Sequence, residues 1–190
     1  MKTAVAGGPD RGRRPAWRPL AILLACCALA ACAADDGFRP KPGEAPQAME
    51  QRYLDWSAHR SGWTVTDSGL RYHRLGEAHP SGAVPLPDSV VTVQCDGTFV
   101  DGRSFFATTP DKPLTGPLTK LIKGWQEGLL LMHVGETFEF VLPSELAYGA
   151  KGWTSHAPAV PSIPPGTVLL FKIRLLAVAE PTPGSERNSP

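Results

Sequence analysis

From Trp63 to Val178 the chain is built of short runs in which apolar and polar residues alternate, separated by Gly, Pro and Asp. A period of two is the mark of a half-buried strand. Trp63 to Thr66 and Leu70 to Leu75 flank the turn signal Asp67-Ser68-Gly69. Val91, Val93 and Cys95 alternate, Asp96-Gly97 reads as a turn, and Thr98 to Val100 leads into a second turn at Asp101-Gly102. Arg103 to Thr108 reads as strand. Further on, Phe138, Phe140 and Leu142 alternate up to Pro143, and Leu169, Phe171, Ile173 and Leu175 mark a last strand. Between them the period changes. Leu121, Trp125, Leu129 and Met132 recur every three to four residues and predict one helix with an apolar stripe. Gly124 and Gly128 weaken that helix but admit a close neighbour. A second helix is predicted over 47–61, where Met49, Tyr53 and Trp56 share a face. Several strands with one helix on the concave side make an α+β domain.

The ends of the chain carry different patterns. Arg11, Arg13, Arg14 and Arg18 precede an apolar run that stops at Cys32, shorter than the roughly 20 residues a membrane helix needs. That is the layout of an export signal over 1–31. Leu29-Ala30-Ala31-Cys32 resembles a bacterial lipobox, which makes Cys32 the candidate lipidation site. Leu24-Ala25-Cys26, or a plain signal peptide with Cys32 incidental, fits the residues as well. Acyl chains contribute about 0.8 kcal/mol per buried methylene, so two or three would hold the protein on a membrane. Ala33-Ala34 after the cysteine resembles sorting to the outer membrane; with a single membrane the site is its outer face. Residues 32–46 read as a flexible tether and 180–190 as a disordered tail.

Composition narrows the function. Twenty prolines in 190 residues cluster near both ends and around 80–87 and 158–165, marking loops. Without residues 1–31 the body carries 14 basic and 17 acidic residues, a net −3 with no basic stripe, which argues against nucleic acid as a partner. With Cys26 and Cys27 in the leader and Cys32 the lipidation candidate, Cys95 is the one other cysteine, and its alternation with Val91 and Val93 places it in the core rather than in catalysis. His59, His133 and His156 lack metal-ligand spacing, and Glu136 and Glu139 read as solvated strand or turn residues rather than an acid–base pair. No metal and no cofactor is expected.

The segments VTDSGLRY, VTVQCDGTFVDGRSFF, LIKGWQEGLLLMHVGE, ELAYG and IPPGTVLLFKIRLL, in this order and spacing, resemble the FKBP family of peptidyl-prolyl isomerases over Trp63 to Val178. The resemblance implies a strongly curved antiparallel sheet wrapped around one short helix, over 62–179. It implies that Trp125 floors a proline pocket lined by Phe105, Leu121, Ile122, Tyr148, Ile163 and Phe171. The Tyr148 hydroxyl and the Ile122 N–H would donate to carbonyls of the bound chain. Tyr148, Trp125, Phe105 and Phe171 are thus the catalytic candidates. Leu121, Ile122, Ile163, Leu114, Cys95 and Phe106 are the substrate-binding ones. Three of these depart from the family: Cys95 stands where Tyr is usual, Phe106 where Asp is usual, and Leu114 where an aromatic ring is frequent. The loop from Tyr148 to Ile163 is longer and carries Trp153 and His156. The implied partners are proline-containing polypeptides and macrolides of the tacrolimus type, met at the envelope through the lipid anchor. The helix over 47–61 resembles the dimerisation helices of some related exported isomerases but is short, so a monomer is expected rather than a dimer. An isomerase and a catalytically weak peptide-binding module or chaperone are the two functions that follow.

Overall fold

The computed structural model describes residues 37–156 and 160–180. The export signal, Cys32 and the tail beyond Glu180 lie outside the described residues. Helix α1 (Pro46–Ala58) is followed by β1 (Thr64–Val65), β2 (Arg71–Leu75), β3 (Val90–Phe99), β4 (Ser104–Ala107) and β5 (Leu114–Pro117). Helix α2 (Lys123–Leu129), β6 (Thr137–Leu142) and β7 (Leu169–Ala179) complete the order. All seven strands form one open antiparallel sheet in the order β1-β2-β6-β7-β3-β4, with β5 also on β3. β4 and β5 share one edge of β3: β5 pairs with Val90 to Val93 and β4 with Asp96 to Thr98.

Alternation divides the strands between two faces. On the inner face Phe138, Phe140 and Leu142 of β6, Leu169, Phe171, Ile173 and Leu175 of β7, and Val91, Val93 and Cys95 of β3 close over Trp125 and Leu129 of α2. The helix sits close because Gly128 has no side chain: a Cβ there would stand 2.6 Å from the Phe140 ring, and one on Gly124 2.5 Å from Leu142. On the outer face Val141, with Val100 and Val168, receives Phe38 and Tyr53, and Met49, Trp56 and Leu170 pack around them. Helix α1 therefore covers the back of the sheet that α2 fills from the front.

Four expectations need correction. Asp96-Gly97 is no turn; β3 runs through it, with Gly97 opposite Phe171 on β7 and a register shift to β4 between Gly97 and Thr98. Pairing on both edges overrides a local turn preference. α2 is shorter than the stripe suggested, since Leu121 and Ile122 are extended and Met132 follows the helix, although Met132 is fully buried. The segment from Gly37 to Ala45 does not hang free: Phe38 is buried, and the Arg52 guanidinium holds Glu44 at 2.7 and 2.9 Å and the Arg39 carbonyl at 2.9 Å. Glu136 is 1% exposed rather than solvated, and its carboxylate accepts the main-chain N–H groups of His133 at 2.8 Å and His79 at 3.1 Å.

Docking of α1 carries a pH signature. Burial of Glu50 raises its carboxyl from 4.5 to about 7; the Val168 N–H opposes the rise and Asp101 adds to it. The folded chain holds this proton more tightly than the unfolded chain. Its contribution to stability is full below the unfolded value and is lost as pH rises through about 7. Glu50→Gln is expected to flatten that slope and to stabilise the protein on the alkaline side by about 1 kcal/mol, allowing for screening at a half-buried position. Thermal melts of both proteins on either side of the window read it, and an equal shift at both pH values contradicts it.

Candidate functional site

The site grows from the start of α2. Pro117 ends β5, a single 3-10 turn spans Leu118–Lys120, and the chain then extends through Leu121 and Ile122 before the helix begins. The Ile122 carbonyl accepts from Trp125 and Gln126, but its own N–H has no partner in the main-chain hydrogen bonding of the described residues. One turn later Trp125 points to the inner face, 4% exposed. Its ring meets Phe171 of β7 edge-on, centroids 5.2 Å apart at 85°, and Phe171 meets Phe105 of β4 at 5.5 Å and 84°. Edge-to-face pairs of this kind contribute about 0.5–1.5 kcal/mol beyond the area they bury. Gly97 makes the arrangement possible, since a Cβ there would stand 2.8 Å from the Phe105 ring and 3.0 Å from Phe171.

The remaining candidates fall into two groups. Leu121, Ile122, Leu114 and Tyr148 are partly buried against this cluster, and Ile163 and Cys95 are buried within it. Tyr148 lies between two 3-10 turns, Ser144–Leu146 and Gly149–Lys151. Burial raises its phenol pKa, so it stays a hydroxyl donor at neutral pH. Phe106 follows Phe105 on β4 and therefore faces the other way; it is 38% exposed. With Leu114, Lys112 and Pro113 it lines a groove of about 250 Å³. The fold thus brings Trp125, Phe105, Phe171, Ile163, Tyr148, Leu121 and Ile122 to one place, and sets Phe106 at an adjoining groove that Leu114 borders.

Chemically the centre is apolar. The Cys95 thiol is pushed up to about 12 by burial, helped by Asp96 and opposed by Thr108, so it stays protonated and is no nucleophile at neutral pH. Among the described residues no three His, Cys, Asp or Glu side chains converge as a metal site. The indole N–H of Trp125 is buried without an acceptor. The polar groups on offer are donors: the Ile122 N–H, and the Tyr148 hydroxyl on the rim. Such a site can hold an apolar ring and donate hydrogen bonds to the carbonyls of an extended chain.

Two features escaped the sequence reading. Gly97 gave a turn signal while its use is to leave room for two rings, which only the cross-strand pairing shows. Trp153, which carries no pattern of its own in the sequence, pairs through its main chain with Ile163, inside the cluster.

The sequence profile of the FKBP-type peptidyl-prolyl cis-trans isomerase family matches residues 82–176. The chain is 40% identical over 136 residues to the FKBP-type peptidyl-prolyl cis-trans isomerase FkpA of Aeromonas hydrophila, covering 71% of this chain and 47% of that protein. It is 35% identical over 139 residues to the outer membrane protein MIP of Legionella longbeachae, covering 73% and 56%. It thus spans about half the length of these relatives. A crystal structure of a peptidyl-prolyl cis-trans isomerase from Pseudomonas syringae superposes with a TM-score of 0.61 at 29% identity, over 75% of this chain and all of that one.

Proposed function

The chain belongs to the FKBP-type peptidyl-prolyl cis-trans isomerase family, and on that premise we propose that it speeds rotation about X–Pro bonds of exported polypeptides at the cell envelope. The observation that carries the reading is the ring cluster of Trp125, Phe171 and Phe105, with an unpartnered main-chain donor at Ile122 and a hydroxyl at Tyr148 beside it.

The reaction suits that set of groups. Rotation breaks amide resonance, with a barrier of about 18–20 kcal/mol, and no bond is made or cut. Uncatalysed exchange takes tens to hundreds of seconds. A twisted amide has less charge separation than a planar one, so a water-free apolar wall favours it over the ground state. In this reading the proline ring lies on Trp125, Phe171 and Phe105 flank it, and the Ile122 N–H and the Tyr148 hydroxyl hold carbonyls on its two sides. Leu121 and Ile163 complete the wall, and Cys95 backs it. Macrolides of the tacrolimus type would compete for the same place. Location at the envelope is inferred from the leader and the Cys32 lipobox. It is supported by the printed name of one relative, an outer membrane protein. Monomeric behaviour is favoured because α1 spends Tyr53, Met49 and Trp56 on its own sheet.

A second reading, a peptide-binding module with weak catalysis, is favoured by Cys95 and Phe106, apolar where the family usually has Tyr and Asp. One assay separates the two. Refolding of a proline-limited substrate, or isomerisation of a short X–Pro peptide, is expected to accelerate with protein at micromolar concentration. Tyr148→Phe is expected to lower kcat/KM about tenfold, the worth of one hydrogen bond of ~1.4 kcal/mol made in the transition state. Binding of the peptide without acceleration would overturn the isomerase reading in favour of the module.

A further inference from the structure

The outer face of the sheet carries a second groove, of about 390 Å³. The alternation that sends Phe171, Ile173 and Leu175 of β7 inward sends Lys172 and Arg174 out into it. Two rows of side chains cross three strands here. In one, Arg174 stands between Gln94 on β3 and Thr137 on β6; in the next, Lys172 stands between Asp96 and Glu139. The row beyond, with Leu170 and Val141, belongs to the packing of α1. Side chains directly opposed on one face of a sheet have Cβ atoms about 4.5–5.5 Å apart. The two cations are therefore placed unequally. Lys172 has a carboxylate on each side. Arg174 has an amide and a hydroxyl, and among the described residues its guanidinium enters no ion pair and no hydrogen bond. The wall of the groove is fixed. The Thr108 N–H donates to the Cys95 carbonyl at 2.9 Å, and the Thr108 hydroxyl accepts from the Cys95 N–H at 2.8 Å. Pro110 follows on the same wall.

The lining selects a ligand by charge and spacing. A guanidinium flanked by neutral donors suits a carboxylate, which it holds with two parallel bonds while the Gln94 amide and the Thr137 hydroxyl donate to the same oxygens. Asp96 is the diagonal neighbour of Arg174, about 7–8 Å away across the face, and offers the opposite charge. Two residues of extended chain span about 7 Å. A phosphate dianion would meet the Asp96 and Glu139 carboxylates as well as Arg174, which disfavours it. We propose that this groove is a binding site for short zwitterionic peptides, with the carboxylate on Arg174 and the ammonium on Asp96. It lies on the face opposite Trp125 and Phe171, needs no proline in its ligand, and does not depend on the isomerase reading.

The test titrates Ala-Ala, N-acetyl-Ala-Ala and Ala-Ala amide into nitrogen-15-labelled protein. Ala-Ala is expected to move the amide signals of Gln94, Thr137 and Arg174 with a dissociation constant of about 1 mM, and to leave those of Ile122 and Tyr148 in place. Each blocked peptide is expected to bind about tenfold more weakly, the worth of one charge-assisted contact. Arg174→Gln is expected to weaken Ala-Ala by a similar factor and to leave the rate on an X–Pro peptide unchanged. Asp96→Asn is expected to weaken Ala-Ala while N-acetyl-Ala-Ala binds as before, which assigns the two ends of the ligand. No movement of the three signals at about 10 mM Ala-Ala overturns the proposal, as does equal affinity in Arg174→Gln or for the blocked peptides. Inorganic phosphate moving the same signals at lower concentration than Ala-Ala also overturns it, in favour of a simple anion site.

Discussion

Trp125→Ala is expected to lose about a hundredfold in kcat/KM, some 2.7 kcal/mol of barrier, together with about 3–5 kcal/mol of stability. The indole is 4% exposed and contacts Phe171 edge-on, so its removal leaves a cavity in the inner core and takes away the surface on which the proline ring would lie. The two losses come apart in Trp125→Phe. That substitution keeps a ring at the site and removes the buried N–H that has no acceptor. It is expected to keep stability within about 1.5 kcal/mol and most of the turnover. Urea unfolding and the peptide assay on both variants are the measurements. A folded Trp125→Ala protein with unaltered kcat/KM would show that the proline binds elsewhere.

Glu136→Gln is expected to destabilise the protein by about 2–4 kcal/mol without touching the site. Burial works against the carboxylate, but the N–H groups of His133 and His79 and the His133 imidazole outweigh it and hold the carboxyl below the usual range. Arg74 stands 3.6 Å away. A folded value below the unfolded one means that this stabilisation is present above the unfolded value and disappears as pH falls through the folded one. The amide offers one acceptor and presents an NH₂ to groups that donate. The variant should unfold at lower urea at neutral pH, and the gap to the unaltered protein should shrink in acid. A gap independent of pH would contradict the role given to the charge.

These two residues mark how far the sequence could be read. Trp125 stood out because an apolar stripe of period three to four exposes a helix face, and because the neighbouring segments resemble a known family in register. The strands with strict alternation, at Val91, Phe138 and Leu169, were legible for the same reason: burial of one face fixes the pattern. Glu136 was not legible, because Gly135-Glu136-Thr137 looks like a solvated turn until His79, far away in the chain, comes to cap it. β5 was missed because Leu114-Thr115-Gly116-Pro117 holds two residues rare in strands, tolerated here at the end of a strand on β3's flank. Phe106 illustrates a third limit. Family register placed it among substrate contacts, while the pleat of β4 turns it away from Phe105 and out to the adjoining groove.

The packing of α1 on the outer face has a mechanical consequence. The chain enters the described domain through Phe38, on the opposite side of β6 and β7 from Trp125, Phe171 and Tyr148. What attaches there meets the satellite core on the outer face of β6 and β7, while the rings of the site lie on the inner face. An end that leaves from the outer face can be lengthened or fastened without passing over the rings on the inner one.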